Sequence, residues 1–151
     1  MLYVILAAVL VGLDQLVKVL VRLNIPEGGS VPFLPHVLQL TFWKNTGAAF
    51  SILTEHTWIL ALVSAAASIL LLVLLLKRVF PHPFAMVSLA VVLAGAVGNL
   101  IDRVFLGYVT DMFQTLFMSF PIFNVADICI VCGGIAFCVY FLLFQGKEEK
   151  A

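Results

Sequence analysis

The stretch Phe123–Phe144 reads FNVADICIVCGGIAFCVYFLLF, and Asp127 is its single charged side chain. A helix needs about 20 predominantly apolar residues to cross the hydrocarbon core of a bilayer. Three further stretches approach or exceed that length, Leu2–Leu23, Trp58–Leu76 and Phe84–Val104. All four are continuous apolar runs rather than alternating ten-residue segments, which predicts helices and not a barrel. The composition agrees: the 151 residues are 64% hydrophobic and 11% charged, with a mean hydropathy of +1.19. Soluble domains carry roughly a quarter charged residues, and a chain this short has too little interior to hide so much apolar surface from water. A soluble monomer, a disordered chain, a collagen and a disulfide-stapled secreted module are excluded. The net charge of +0 leaves no basic footprint for nucleic acid. The expected architecture is an all-α membrane protein, one integral domain over 1–151 with four transmembrane helices.

The first span is not expected to be a cleaved signal peptide, because it is too long for an h-region and carries Asp14 and Lys18. In the connection 24–57, Pro26, Gly28, Gly29, Pro32 and Pro35 break regular structure, and Val37–Trp43 then reads as a short strand. Ala48–Ile52 is its candidate partner across an Asn45-Thr46-Gly47 turn. Pro81 and Pro83 stop any continuous helix between spans two and three. The semi-apolar connection 105–122 reads as a segment lying at the membrane surface.

Four spans place both termini on one side. Lys77, Arg78, Lys147 and Lys150 share that side, whereas Arg22, Lys44 and Arg103 fall toward the other, with Arg22 and Arg103 able to snorkel from helix ends. The positive-inside tendency then favours cytoplasmic termini.

The acids divide by type. All four glutamates fall in loops or the tail, whereas Asp14, Asp102 and Asp127 fall inside or at the ends of spans and Asp111 in the third connection. A carboxylate at mid-membrane costs about 2.5–3.5 kcal/mol even on lenient scales, so such residues usually face a bundle interior or a watered site. Asp14 lies roughly 18 Å into span one at 1.5 Å per residue, past the midplane. Asp102 ends span three and Asp127 is about one turn into span four, so the acids gather toward the face away from the termini.

Each cluster supports two readings. Asp14 and Lys18, four apart with the acid first, form an ion pair on one helix face that either survives in lipid as structure or contacts substrate. Asn99, Asp102 and Arg103 share one stripe, after Ala94, Gly95, Ala96 and Gly98 that allow close helix packing; they serve as helix–helix glue and a helix-end salt bridge, or as a site. Asn124 and Asp127 resemble a capping box, and capping alone would account for both. Cys129 and Cys132, with Cys138, read as buried small hydrophobes rather than a redox or zinc motif. No metalloprotease, serine-hydrolase or nucleotide-binding motif is present, so no metal or cofactor is expected and carboxylates are the reactive inventory. Two aspartates close together in a poorly hydrated site share a proton near neutral pH, one acting as base on water and the other as acid. Asp127 and Asp111, 16 positions apart, are the candidate partners for those roles.

Five motifs then carry a resemblance: Asp14-Gln15-x-x-Lys18, Asn45-x-Gly47-Ala48-Ala49-Phe50, Gly95-x-x-Gly98-Asn99-x-x-Asp102-Arg103, Val109-x-Asp111 and Phe123-Asn124-x-Ala126-Asp127. In this order, and across essentially the whole chain, they resemble lipoprotein signal peptidase (signal peptidase II), a family of bacterial membrane aspartyl proteases. The resemblance implies cleavage of prolipoproteins just before the lipidated cysteine, after diacylglyceryl transfer to it. It maps the catalytic pair onto Asp111 and Asp127, and a supporting set onto Asn99, Asp102, Arg103 and Asn124. Asp14, Lys18, Asn45 and Gly47 correspond to the first-span and first-loop motifs, as support or substrate contacts. It also implies a small extracytoplasmic β-cradle in the first loop and an active site toward the extracytoplasmic face of the bacterial cytoplasmic (inner) membrane. The implied partners are diacylglyceryl-modified prolipoprotein signal peptides and membrane lipids, bound by a monomer, with no nucleic acid. Ala94 and Met112 depart from common family choices without touching the pair. Two alternatives use the same acids: a small transporter or proton-relay subunit, against which stand the one-sided acids and the lack of a repeat, and a metal-dependent lipid-headgroup phosphotransferase, for which the acids are too dispersed.

Overall fold

The computed structural model describes residues 1–47 and 57–145. Its elements, in chain order, are α1 (Leu2–Asn24), β1 (Ser30–Leu34), β2 (Leu38–Asn45), α2 (Thr57–Leu76), α3 (Pro83–Leu106), β3 (Val109–Thr115) and α4 (Val125–Tyr140). A π-helical turn, Phe141–Gln145, extends α4. Four helices are long and apolar enough to span a membrane, and the protein is a multi-pass membrane protein.

The helix ends follow from local chemistry. Pro83 opens α3, where its missing N–H costs nothing, and the His82 side chain accepts a hydrogen bond from the Phe84 N–H. Gly107, at φ 77°, closes α3 in the left-handed conformation that side chains with a Cβ avoid. Along α3, Ala85, Met86, Leu89, Ala90, Leu93 and Ala94 are buried, and α3 packs against each of the other three helices. Small residues set the closest of these approaches. A Cβ on Gly95 would collide with the Ala126 carbonyl oxygen, and one on Gly133 would lie 2.8 Å from Val92 Cγ2 and 3.0 Å from the Ser88 carbonyl oxygen. Close backbone approach of this kind is how helices associate where lipid is as apolar as their side chains. Large apolar side chains on the outward faces, such as Leu62, Leu70 and Ile135, remain exposed for lipid.

A three-stranded antiparallel sheet, in the order β1-β2-β3, caps the end of the bundle where α1 and α3 finish and α2 and α4 begin. Two expectations change here. The strand expected at Val37–Trp43 exists as β2, but its observed partners are β1 and β3; the expected partner Ala48–Ile52 lies outside the described residues. The connection 105–122, expected as a surface-lying segment, instead supplies β3, so the cradle is not built from the first loop alone. Pro32 conceals β1 in the sequence, yet β1 is an edge strand, where a missing ladder donor is tolerated. β3 is buried over Val109–Met112 without alternation, because Met112 packs against Val21 and Ile25 at the end of α1 while Asp111, on the opposite face, meets Asn124 at the start of α4.

Candidate active site

Asp111 stands on β3 opposite Trp43 of β2. The two-residue period of a strand puts Asn45 on the same face, and its Nδ2 donates to Asp111 Oδ2 at 2.8 Å. The backbone then returns alongside β3. The N–H groups of Met112 and Phe113 donate to the Phe123 carbonyl at 3.0 and 2.8 Å, and Phe123 donates back to Phe113. That bridge pins the start of α4 beside Asp111 and leaves Asn124, fully buried, between the two aspartates.

Asn124 serves both. Its Nδ2 donates to Asp111 Oδ1 at 2.6 Å, while its Oδ1 accepts from the Asp127 N–H at 2.9 Å. Asp127 completes the capping box by accepting from the Asn124 N–H at 3.1 Å through Oδ2, and its Oδ1 accepts from Asn99 Nδ2 at 2.8 Å. Capping and site-building are therefore one arrangement: the cap that starts α4 is also the link between the two carboxyls. Burial, and then the neighbouring Asp127 charge, push the Asp111 carboxyl up to about 7; the donors Asn45 and Asn124 act in the opposite direction without cancelling them.

Both aspartates border a cavity of about 710 Å³, with Asn45, Gly47, Asn99, Arg103 and Asn124 also on its wall. Its far side is apolar, from Phe120, Ile122, Ile128 and Val131. Arg103 reaches it with Nη1 at 3.5 Å from Ser64 Oγ, and its Nε has no hydrogen-bond partner among the described residues. Such a cavity suits a substrate that is apolar along most of its length and polar at one bond.

Asp14, Lys18 and Asp102 do not line the cavity. They form a buried group behind it. Lys18 Nζ lies 2.9 Å from Asp14 Oδ2 and 3.6 Å from Asp102 Oδ2, and donates to Asn99 Oδ1 at 3.0 Å. Of Asn99, Asp102 and Arg103, expected on one stripe, Asn99 shares Lys18 with Asp102 and the cavity wall with Arg103, whereas Asp102 turns to Lys18 and β3 and Arg103 to the cavity. Successive helical positions 100° apart account for the split between Asp102 and Arg103. Arg22, read from sequence as a snorkelling side chain, donates to Thr110 Oγ1 at 2.7 Å and lies 3.8 Å from Asp102 Oδ1. The sequence signal for it was present, since positions 14, 18 and 22 make an i,i+4 ladder. Gln15 donates to the Gly98 carbonyl at 3.0 Å. Of the cysteines, expected buried, Cys129 alone is buried; Cys132 is exposed on the wall of the cavity and Cys138 is exposed elsewhere on α4. Among the described residues no three His, Cys, Asp or Glu side chains converge as a metal site would require.

A family model described as signal peptidase (SPase) II matches residues 6–143. The chain belongs to the signal peptidase II family. Family membership makes it a protease of lipoprotein processing, acting on prolipoproteins. It is 46% identical over 149 residues to a lipoprotein signal peptidase of Enterococcus faecalis, covering 99% of this chain and 90% of that one. A lipoprotein signal peptidase of Clostridioides difficile is 38% identical over 149 residues, covering 99% of this chain and 100% of that one. Two bacterial membrane enzymes solved by the in meso method share the fold. One superposes with a TM-score of 0.86 at 30% identity, covering 99% of this chain and 91% of that one. The other gives 0.83 at 32%, covering 95% and 93%.

Proposed function

We propose that this signal peptidase is an aspartic endopeptidase that removes the signal peptide from diacylglyceryl-modified prolipoproteins, cleaving just before the lipidated cysteine. The observation that carries the reading is the single Asn124 side chain bonded to Asp111 and to the N–H of Asp127, at the wall of one cavity. With the Asp111 carboxyl pushed up to about 7, the pair retains one proton near neutral pH. The ionised member takes a proton from water as that water attacks the scissile carbonyl, and the protonated member donates to the carbonyl oxygen. Collapse of the tetrahedral adduct delivers a proton to the departing amine. Asn45, Asn99 and Asn124 fix the orientations of the two carboxyls, so little reorganisation accompanies the reaction. Arg103 and Gly47, on the cavity wall, contact substrate.

The same reading puts the protein in the bacterial cytoplasmic membrane as a monomer, termini cytoplasmic, with the sheet and the aspartate pair toward the extracytoplasmic face. Lys77 and Arg78 at the opposite end of the bundle favour that orientation. A diacylglyceryl anchor would hold the scissile bond at the depth of the pair, and membrane confinement raises its effective concentration. Purified protein incubated with a lipidated and an unlipidated precursor, followed by mass analysis, tests the reading. Cleavage of the lipidated precursor alone, before its cysteine, is the expected result; cleavage of both or of neither refutes it.

A further inference from the structure

Asp14, Lys18 and Asp102 are buried, with side-chain exposures of 2%, 0% and 1%, and none reaches the cavity. Their other contacts have a common pattern. Asp14 Oδ1 accepts from the backbone N–H of Ala126 at 2.9 Å, and Ala126 immediately precedes Asp127. Asp102 Oδ2 accepts from the backbone N–H of Thr110 at 2.8 Å, and Thr110 immediately precedes Asp111. Lys18 stands between these two carboxylates and also donates to Asn99 Oδ1, which fixes the Asn99 amide with its Nδ2 toward Asp127. One ammonium thus joins the supports of two aspartates that arrive on different elements, β3 and α4. Gly98 leaves the room required, since a Cβ there would fall 2.6 Å from Asp14 Oδ2.

We propose that Lys18 is a positioning residue for the aspartate pair: through Asp14 and Ala126, and through Asp102 and Thr110, it holds Asp127 and Asp111 in one geometry, and through Asn99 it orients Asp127. It does not contact substrate. The inference rests on the reading of Asp111 and Asp127 as the catalytic pair. A positioning ion differs from passive packing because its charge acts on the pair as well. The Lys18 charge favours the ionised form of Asp111 and the Asp127 charge opposes it; Arg103 also faces the two aspartates, Arg22 faces Asp102, and Asp14, Asp102 and Cys129 are the remaining titratable side chains near this group.

Two variants test it in purified full-length protein with a synthetic diacylglyceryl-modified precursor. Lys18→Met removes the ammonium at similar volume. Asp14→Asn with Lys18→Met removes an acid and a base together, leaves an amide oxygen for the Ala126 N–H, and so keeps the fold available where the single change fails to fold. Thermal unfolding monitors the fold of each. Misplacing reacting groups by an ångström costs roughly 100-fold, so kcat should fall about that much in both, with KM within about twofold. In Lys18→Met the decline of kcat at the alkaline side of the profile should move to higher pH, because a cation that favours the ionised form of Asp111 is gone. A tenfold rise in KM with kcat retained would assign Lys18 to substrate and overturn the proposal. So would full activity in the double variant, or loss of kcat in a folded Lys18→Met protein with the alkaline decline unmoved. Asp111→Asn separates the two levels. If the unaltered protein cleaves, Asp111→Asn is inert and the double variant is fully active, the positioning role alone falls; if Asp111→Asn cleaves, the reading of the pair falls and this inference with it.

Discussion

Asp111→Asn should abolish cleavage and, at alkaline pH, stabilise the fold relative to its own effect at acid pH. The carboxyl is 1% exposed and rises from 3.8 to about 7 on folding. A carboxyl held above its unfolded value binds its proton more tightly in the native state, so its contribution to stability is complete below about pH 4 and is lost as pH rises through about 7. Linkage between those two values gives a loss of roughly 2–3 kcal/mol between pH 5 and pH 8 for the wild type. The asparagine variant has no proton to lose. It has a fixed penalty of its own: Asn45 and Asn124 donate to different carboxyl oxygens, one of which becomes an NH2 that cannot accept, and the donor facing it costs about 1–3 kcal/mol. That penalty does not vary with pH.

The informative quantity is therefore the difference in unfolding temperature between variant and wild type as a function of pH. At roughly 2–4 °C per kcal/mol for a chain of this size, the difference should move in favour of the variant by roughly 5–10 °C between pH 5 and pH 8. Thermal unfolding of both proteins in the same detergent, followed by intrinsic fluorescence at several pH values, measures it. A difference that stays flat across this range would mean that Asp111 titrates in the native state as it does unfolded, and the shared-proton argument would collapse even if the variant were inactive.

Other expectations follow from the same contacts. The wild-type kcat/KM should decline as pH rises through about 7, where the pair loses its proton; a rate still climbing at pH 9 would exclude the acid role. Asn124→Ala removes the α4 cap and the donor to Asp111 together, and should cost about 1–2 kcal/mol in thermal unfolding besides most of the activity, whereas Asn124→Ser should restore the cap but not the rate. Gly98→Ala presses on the Asp14 carboxylate and should lower the unfolding temperature and kcat together; a silent result would show that α1 can shift without disturbing the pair. Arg22→Gln deprives Thr110 of its donor and Asp102 of a cationic neighbour and should slow cleavage several-fold with KM unchanged in a proteolysis assay.

The parts of this molecule legible in its sequence are those whose physics is local. A helix satisfies its backbone internally, so hydropathy and length found the four spans, and the capping spacing of Asn124 and Asp127 was visible for the same reason. The sheet was less legible, because its pairs join distant residues: Trp43 meets Asp111 and Asn45 meets Val109. Pro32 hid the edge strand, and the unbroken burial of Val109–Met112 hid the alternation that would have marked β3. That missing strand is what separates the candidate pair from a guess based on spacing. Asp111 reaches Asn124 because Phe123 is bound to β3, and neither fact has a local signature. The resemblance supplied the two aspartates and their supporting residues as a set. It did not distinguish Asn45, Asn99, Asn124 and Arg103, which face the cavity, from Asp14, Lys18 and Asp102, which stand behind it. Scarcity of charge makes that division meaningful. In a bundle with so few ionised groups, three of them buried out of reach of substrate have to offset the cost of their own desolvation, and the backbone N–H groups of Ala126 and Thr110 are where that expense meets the pair.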